Sequence, residues 1–246
     1  AANASFTTAD IVAPTTTFSP ANSATAVAVA SDITLTFNEA VRLINNSALD
    51  DSNVDALITL KEDNSSGADI AFNATINGGK TVITINPDSS LSSTQVVYVA
   101  IGATVEDASN NAINAANASF TTADIVAPTM IITSAEVSDG ATSNDSTLAM
   151  TFTSSEATSN FVVGDISVSG GALSSFNATS ATVYTATFTP SSDGAKTIDV
   201  AGGAFTDSSS NNNSAATQFN WTYNSSSPTM IITSAEVSDG ATSNDS

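Results

Sequence analysis

A stretch of fifteen residues occurs twice in this chain and constrains the fold more than any other feature. The sequence AANASFTTADIVAPT begins at Ala1 and again at Ala115. A second repeat links the end of the chain to its middle, because PTMIITSAEVSDGATSNDS follows both Ala127 and Ser227. Both repeat distances are roughly 100 residues, the size of one small β domain. Self-similarity at this spacing predicts a tandem array of domains.

The positions of the two repeats divide the chain into four parts. Residues 1–12 are predicted to be the last strand of a preceding domain, and residues 227–246 the start of a following one. Two complete domains of different type are predicted between them, at residues 13–126 and 127–226. We therefore expect the sequence to be a fragment of a longer repeat array.

The charge of the chain excludes several classes of partner. It has 24 acidic residues, 4 basic residues and a net charge of −20. Nucleic acids and anionic membranes bind clustered Lys and Arg, so neither is an expected partner. The acidic charge favours cations instead, Ca²⁺ above all. No apolar run reaches the ~20 residues of a membrane helix, so we expect no membrane insertion in this segment.

The chain contains no cysteine and no histidine. Disulfides, thiolate metal sites, zinc centres and the common catalytic triads are therefore excluded. A two-carboxylate glycosidase stays formally open, but most of its candidates lie at strand ends or loops without an aromatic sugar platform: Glu39, Glu62, Glu106, Glu136 and Glu156. We expect no enzyme activity. An isopeptide cross-link needs a buried lysine beside an acid, and Lys61 next to Glu62 is the only hint of one.

Alternation of apolar and polar residues predicts short strands along both domains. The segment DITLTFNE, at residues 32–39, has the period of two that a half-buried strand shows. The segment IAFNATINGGKTVITINP, at residues 70–87, predicts a hairpin in which Asn77, Gly78 and Gly79 accept positive φ. The second domain continues the pattern in LAMTFTSSE, DISVSG, VYTATFTP, KTIDVAGG and FNWTY. About seven strands per 100 residues predict all-β, two-sheet sandwiches.

The order of these segments resembles two known kinds of domain. The first domain, with APTTTFSPANSATAVAVASDITLTFNEAV, then LSSTQVVYVAIGATVEDASNNAI and SFTTAD, is similar to the bacterial immunoglobulin-like (Ig-like) domains of S-layer and giant surface proteins. The second, with APTMIITS, TFTSSEATSNFVVGDISVSGGAL and VYTATFTPSSDGAKTIDVAGGAFTDSSSN, resembles the Ig-like extender repeats of long bacterial adhesins. The resemblance implies tandem Ig-like β-sandwich domains at an extracellular or cell-surface location.

Acidic residues fall at matching places in the two domains. In an Ig-like sandwich the incoming linker, the loop after the second strand and the loop before the last strand lie at one pole. Three carboxylates at one pole repel each other unless a cation lies among them, and Ca²⁺ takes six to eight oxygen ligands. The predicted ligands are Asp10, Glu39, Asp107 and Asn111 in the first domain and Asp124, Glu156, Asp207 and Asn211 in the second.

A second interpretation of the same loops stays open. Asp and Asn in EDASNN and TDSSSNN are also the residues with which tight turns bond their own backbone. The glycine that the resembling family has in this loop is replaced by Asn110 and Ser210, and asparagine tolerates a left-handed backbone better than serine. The third linker reads NSSSPT in place of DIVAPT, so we expect that joint to lack the linker carboxylate and to be more flexible.

These features predict a structural role. We expect a segment of a stalk, fibre or surface layer whose partners are the neighbouring Ig-like domains of the same array, with lateral self-association into fibres as a further contact. One alternative is a sugar- or protein-binding adhesion module, which an exposed aromatic cluster would favour. Another is a subunit that polymerises when its N-terminal strand, ANASFTTAD, adds to the sheet of another molecule.

Overall fold

A computed structural model describes residues 3, 6–227, 229–235 and 237–242 of the chain. It contains two compact units, Ala1–Val126 and Ala127–Ser246. Across the described residues the regular structure is strand, apart from two short 3₁₀ helices, Asp55–Leu57 and Val163–Asp165. The predicted all-β fold class is therefore confirmed. No helix in these residues is long and apolar enough to cross a membrane.

The first unit is built from short antiparallel strands. Their bounds are β1 Thr16–Ser19, β2 Ile33–Phe37, β3 Arg42–Leu43, β4 Ile58–Glu62, β5 Phe72–Ile76, β6 Val82–Pro87, β7 Val96–Ile101, β8 Val105–Glu106 and β9 Ala116–Thr121. One sheet has the order β1-β2-β6-β5, a second has the order β4-β7-β9, and β3 pairs with β8. Each layer sends alternate apolar side chains into a single core, for example Leu35, Ile85, Val99 and Phe120. This arrangement is a β-sandwich.

The second unit repeats the architecture with longer strands. Their bounds are β10 Met130–Ser134, β11 Thr142–Ser143, β12 Leu148–Ser154, β13 Ile166–Ser169, β14 Gly171–Ala178, β15 Val183–Pro190, β16 Gly194–Val200 and β17 Phe219–Tyr223. The two sheets have the orders β10-β12-β15-β14 and β11-β17-β16-β13, and β11 runs parallel to β17. Aromatic rings fill much of the core, where Phe161 contacts Phe152, Tyr184 and Phe205 edge-on or tilted.

Two local expectations need correction. The hairpin β5–β6 is present, but its positive φ of 58° falls on Lys80 rather than on Asn77, Gly78 or Gly79. Asn77 instead closes the loop through its side chain, because its Oδ1 accepts the amide of Thr81 at 2.8 Å. In the second unit the strand β14 was not predicted, because its sequence GALSSFNA is rich in small polar residues and pairs along one side only.

The buried lysine is not the one that the sequence indicated. Lys61 is only partly buried, and its ammonium group bonds the exposed carboxylate of Asp69. Lys196, on β16, is only 2% exposed and lies opposite Trp221 in the strand register. Its hydrogen bond in this structure is a long one, 3.5 Å to the carbonyl of Ala195. The burial that an isopeptide cross-link needs is therefore not found at Lys61.

Candidate metal centres

In the first unit the site is built around Asp107, which directly follows β8 and is 2% exposed. Its Oδ1 accepts the amides of Ser109 and Asn111, both at 2.8 Å, and its Oδ2 accepts the Asn111 side-chain amide at 2.8 Å. Asn110 between them has φ 67°. The carboxylate therefore nucleates a tight turn, as the second interpretation of the loop predicts.

Two more carboxylates lie beside Asp107. Glu39 lies two residues after the end of β2, and Asp10 comes from the linker. One carboxylate oxygen each of Asp10, Glu39 and Asp107 lie within 4.8 Å of one another. The backbone of Asp10 is held there, because its carbonyl accepts the side-chain amide of Asn111 at 3.2 Å. The structure thus brings together all four residues predicted for this site.

This spacing fits a calcium ion. Ca²⁺ bonds oxygen at about 2.3–2.6 Å, so two ligands on opposite sides of one ion lie about 5 Å apart. Without a cation, three carboxylates at this distance repel each other. The donor set consists of hard oxygens, which Ca²⁺ prefers to nitrogen or sulfur. Turn formation and metal binding are compatible here, because Asp107 Oδ2 accepts only one amide and keeps a lone pair for a cation.

The environment of Asp107 favours its charged form. Burial acts to raise the pKa of Asp107, but the hydrogen bonds from Asn111 and Ser109 and the nearby Arg42 guanidinium outweigh it and hold the pKa below its ordinary value. The carboxylate is therefore ionised at neutral pH and available to a cation.

The second unit has the same turn. Asp207 is 6% exposed, and its Oδ1 accepts the amides of Ser209 at 2.8 Å and Asn211 at 2.9 Å. Its Oδ2 accepts the Asn211 side-chain amide at 2.9 Å, and Ser210 takes φ 71°. Carboxylate oxygens of Glu156 and Asp207 lie within 4.8 Å of each other. Burial acts to raise the pKa of Asp207, but the hydrogen bonds from Asn211 and Ser209 outweigh it and hold the pKa below its ordinary value.

The remaining predicted ligand, Asp124, lies two residues before the end of the first unit. Its Oδ1 accepts the Ser93 hydroxyl and the Val126 amide, both at 3.0 Å. Asp10 makes the equivalent bond, accepting the Val12 amide at 3.0 Å. The two copies of DIVAPT therefore form the same local turn at their aspartates.

Sequence reasoning missed the residues that brace the acidic loop of the first unit. Arg42 on β3 lies opposite Glu106 on β8, and the two side chains form a salt bridge of 3.2 Å. The same guanidinium donates to the Ala108 carbonyl at 3.3 Å and to Asn110 Oδ1 at 3.0 Å. The signal was present in the sequence, since Arg42 is one of only four basic residues and comes three positions after Glu39.

In the second unit neutral groups take this place. Asn160 Oδ1 accepts the Thr206 amide at 3.1 Å, and Asn160 Nδ2 donates to the Thr206 hydroxyl at 3.2 Å. Thr158 is buried and donates its hydroxyl to Asn160 at 2.9 Å. No sequence pattern distinguishes these residues from the many other Asn and Thr of the chain.

Comparison with protein families matches nearly the whole chain. A family model described as a bacterial Ig-like domain matches residues 10–122, and a second model with the same description matches residues 124–223. Both matches begin at the aspartate of a DIVAPT linker, Asp10 in one and Asp124 in the other. No curated protein matches the chain.

Solved structures resemble the chain only distantly. The InvD protein of Yersinia pseudotuberculosis has 16% identity and a TM-score of 0.33 over 89% of this chain and 61% of that one. The N-terminal part of the bacterial S-layer protein SbsC has 11% identity and a TM-score of 0.30, with 84% and 44% covered. The LD transpeptidase LdtMt1 in complex with imipenem has 15% identity and a TM-score of 0.31, with 65% and 64% covered. This chain thus spans less than two thirds of each of them.

Proposed function

The chain belongs to the bacterial Ig-like domain family, and from that membership we propose that it is a non-catalytic segment of a stalk or fibre at the cell surface. Domains of this family fit a structural module of a surface protein. The exposed large hydrophobic side chains of the described residues include only one aromatic ring, Phe6. A sugar-binding platform needs several such rings, so this distribution favours the stalk over an adhesion module.

The observation that carries the proposal is the way in which the linker is fixed to the first unit. The Thr15 amide donates to Asn38 Oδ1 at 2.7 Å, and the Asn38 amide donates back to the Thr15 carbonyl at 3.3 Å. Together with the bond from Asn111 to the Asp10 carbonyl, these contacts hold the entering chain at two loops. A stalk requires entering segments with little freedom, because flexible linkers coil and shorten its reach.

Calcium completes the proposed function. In the first unit Ca²⁺ would join Asp10 of the linker to Glu39 and Asp107 of the sandwich, since their oxygens already lie within 4.8 Å. The repeat of DIVAPT and the start of the second family match at Asp124 support the same role for Asp124 with Glu156 and Asp207. Each ion would then stiffen one entry into a sandwich by neutralising charges that otherwise repel.

Calorimetric titration of the chain with Ca²⁺ tests the calcium proposal. We expect the chain to bind two Ca²⁺ ions and to melt at a higher temperature when Ca²⁺ is present. The double variant Glu39→Gln/Glu156→Gln should lower the affinity for Ca²⁺ at least tenfold and reduce the rise in melting temperature. The matched control is Asp88→Asn, which removes one exposed carboxylate outside the acidic loops and should change neither quantity. Calcium would be excluded from these loops if the unchanged chain showed no heat of binding, or if the double variant bound Ca²⁺ as tightly as Asp88→Asn does.

Strand exchange remains a second candidate because of one observation. Phe6 is 89% exposed, whereas Phe120, in the second copy of the same sequence, is 1% exposed within β9. A covalent array and a strand-exchanged polymer both explain this, since either would cover Phe6. Mass spectrometry of the native protein under denaturing conditions, after chelation of Ca²⁺, separates the two. A mass many times that of 246 residues supports the covalent array, and a mass equal to 246 residues supports strand exchange.

A further inference from the structure

The edge strands on one side of the first unit are covered. We call this side, formed by β4 and β5, the β4–β5 side. Next to β4 the chain folds back on itself, so that the Ile70 amide donates to the Leu60 carbonyl at 3.0 Å and the Glu62 amide to the Ala68 carbonyl at 2.9 Å. The outer backbone groups of β4 are therefore used within the unit.

Two aspartates cover the neighbouring edge strand, β5. Asp55 Oδ1 accepts the amide of Ala74 at 2.7 Å, and Asp51 Oδ1 accepts the amide of Ile76 at 2.8 Å. These amides are the ones that an edge strand offers to an incoming strand. Carboxylates at this position both occupy the donors and repel another acidic chain, so the β4–β5 side is closed to strand addition.

The corresponding side of the second unit has no such cover. In the sheet order β10-β12-β15-β14, β14 takes the edge that β5 takes in β1-β2-β6-β5. No described residue outside the ladder with β15 hydrogen-bonds the backbone of Gly171–Ala178. Every second residue of an antiparallel edge strand directs its N–H and C=O away from its neighbour. β14 therefore presents unpaired backbone groups.

The sequence around β14 is also free of charge. No Asp, Glu, Lys or Arg occurs between Ile166 and Ser192, a segment that contains β13, β14 and β15. In a chain with a net charge of −20, two copies repel each other over most of their surface. Soluble proteins usually place charged side chains on an open edge to prevent pairing. An edge with neither cover nor charge is a surface at which two acidic chains can meet.

We propose that the edge of β14 pairs with β14 of a second copy of this chain, in antiparallel register across a two-fold axis. A two-fold contact uses the same surface on both copies, so both neutral segments face each other. A β-bulge separates Ser174 from Asn177 in the ladder with β15, so the regular pairing segment is Gly171–Ser174. The side chains of Ala172 and Ser174 in this segment are exposed.

Such a contact is weak for one domain and strong for an array. Four residues supply only a few backbone hydrogen bonds, so we expect a dissociation constant of about 1 mM for this chain. Repetition along a fibre multiplies the contact, because each later pairing is intramolecular. The inference gives the proposed fibre a lateral contact and uses no residue of the acidic loops, so it does not depend on calcium.

Thiol cross-linking tests the contact, since the chain contains no cysteine of its own. Ala172→Cys places one thiol on β14, and the matched control Asn73→Cys places one at an exposed position of the covered strand β5. With a short bismaleimide cross-linker at 0.2 mM protein, we expect Ala172→Cys to form covalent dimers at least tenfold faster than Asn73→Cys. Equal rates, or no dimer from Ala172→Cys, would overturn the proposal.

A second pair of variants shows whether the edge itself is responsible. In the Ala172→Cys background, Ser174→Lys adds a charge to β14, whereas Thr75→Lys adds the same charge to an exposed position of β5. We expect Ser174→Lys to abolish the fast cross-linking and Thr75→Lys to leave it unchanged. The reaction should proceed equally in Ca²⁺ and in chelator. A requirement for Ca²⁺ would assign the association to the acidic loops and refute β14 pairing.

Discussion

The two sandwiches form the same aspartate-centred turn but support it differently. In the first, Arg42 bonds Glu106 and also reaches two oxygen atoms of the loop itself. In the second, Asn160 and Thr206 occupy the equivalent place, and both of these side chains are uncharged. The amide distances to Asp107 and Asp207 are nevertheless the same within 0.1 Å.

This comparison shows which interactions determine the turn. Both loops have an aspartate that accepts two backbone amides and one side-chain amide, and a residue with positive φ three positions later. The supports around the loop differ in charge and in residue type, and only Arg42 and Glu106 of the first unit lie on strands. We infer that the aspartate and its asparagine determine the turn geometry. The supporting residues, such as Arg42 in the first unit and Asn160 in the second, determine only how much unfolding free energy is lost when the turn is disrupted.

The largest effect is expected from removing the aspartate in the second unit. Asp207→Ala leaves the amides of Ser209 and Asn211 without their acceptor, which should cost about 3 kcal/mol of unfolding free energy. Asp107→Ala should cost less in the first unit, because Arg42 still holds Ala108 and Asn110. Trp221, the only tryptophan, reports unfolding of the second unit by fluorescence, and hydrogen exchange in β7 and β9 reports the first.

Asp207→Asn is the matched control for this comparison. It keeps an oxygen for the two backbone amides and loses only the bond to the Asn211 side chain, so we expect a smaller loss than for alanine. If Asp107→Ala destabilises its unit as much as Asp207→Ala does, the bracing by Arg42 has no energetic role.

A second prediction concerns two lysines, one at the surface of the first unit and one buried in the second. Lys61 bonds Asp69 at the surface, whereas Lys196 is buried opposite Trp221 with one long hydrogen bond. Asp193 interacts electrostatically with Lys196, but the described residues include no direct ion pair with it. Burying an ammonium group without a direct ion pair is unfavourable, and an apolar side chain of similar shape removes that cost. Lys196→Met should therefore raise the unfolding free energy of the second unit by about 2 kcal/mol.

Lys61→Met is the comparison variant and should change stability by less than about 0.5 kcal/mol, since surface ion pairs contribute little. Denaturant unfolding followed by Trp221 fluorescence measures the first variant, and hydrogen exchange the second. A loss of stability in Lys196→Met would mean that the ammonium group makes interactions that the long bond to Ala195 does not represent.

Much of the fold could be predicted because strand alternation and exact repeats are local signals. The segment at residues 32–39 contains β2, and FNWTY is β17, because apolar residues at every second position have one way to be buried. β14 was missed because an edge strand has a ladder on one side only and tolerates small polar residues. The position of the positive φ in the β5–β6 hairpin was missed because the side chain of Asn77 closes the loop without the glycines.

The candidate site could be predicted to a similar extent. The resemblance to Ig-like domains indicated that Asp10, Glu39 and Asp107 meet, because in such a sandwich their three segments lie at one pole. The scarcity of basic residues marked Arg42, but it did not indicate the salt-bridge partner Glu106, which depends on the register between β3 and β8. Nor could it indicate that Lys196 points into the core, since cross-strand neighbours come from distant parts of the chain.

The smallest effects are expected at the two positions with positive φ in the acidic loops, and they should have opposite signs. Ser210 has φ 71°, a conformation that costs a serine about 1–2 kcal/mol, whereas a glycine there loses about 0.5–1 kcal/mol through chain entropy. Ser210→Gly should therefore stabilise the second unit by about 0.5 kcal/mol.

Asn110 has φ 67°, which asparagine tolerates, and its Oδ1 accepts a bond from Arg42 at 3.0 Å. Asn110→Gly should thus destabilise the first unit by a similar amount, because it loses that bond without relieving strain. Chemical unfolding of each variant, followed by Trp221 fluorescence for the second unit and hydrogen exchange for the first, resolves the sign. If both substitutions stabilise, the bond from Arg42 to Asn110 contributes nothing to the stability of the first unit.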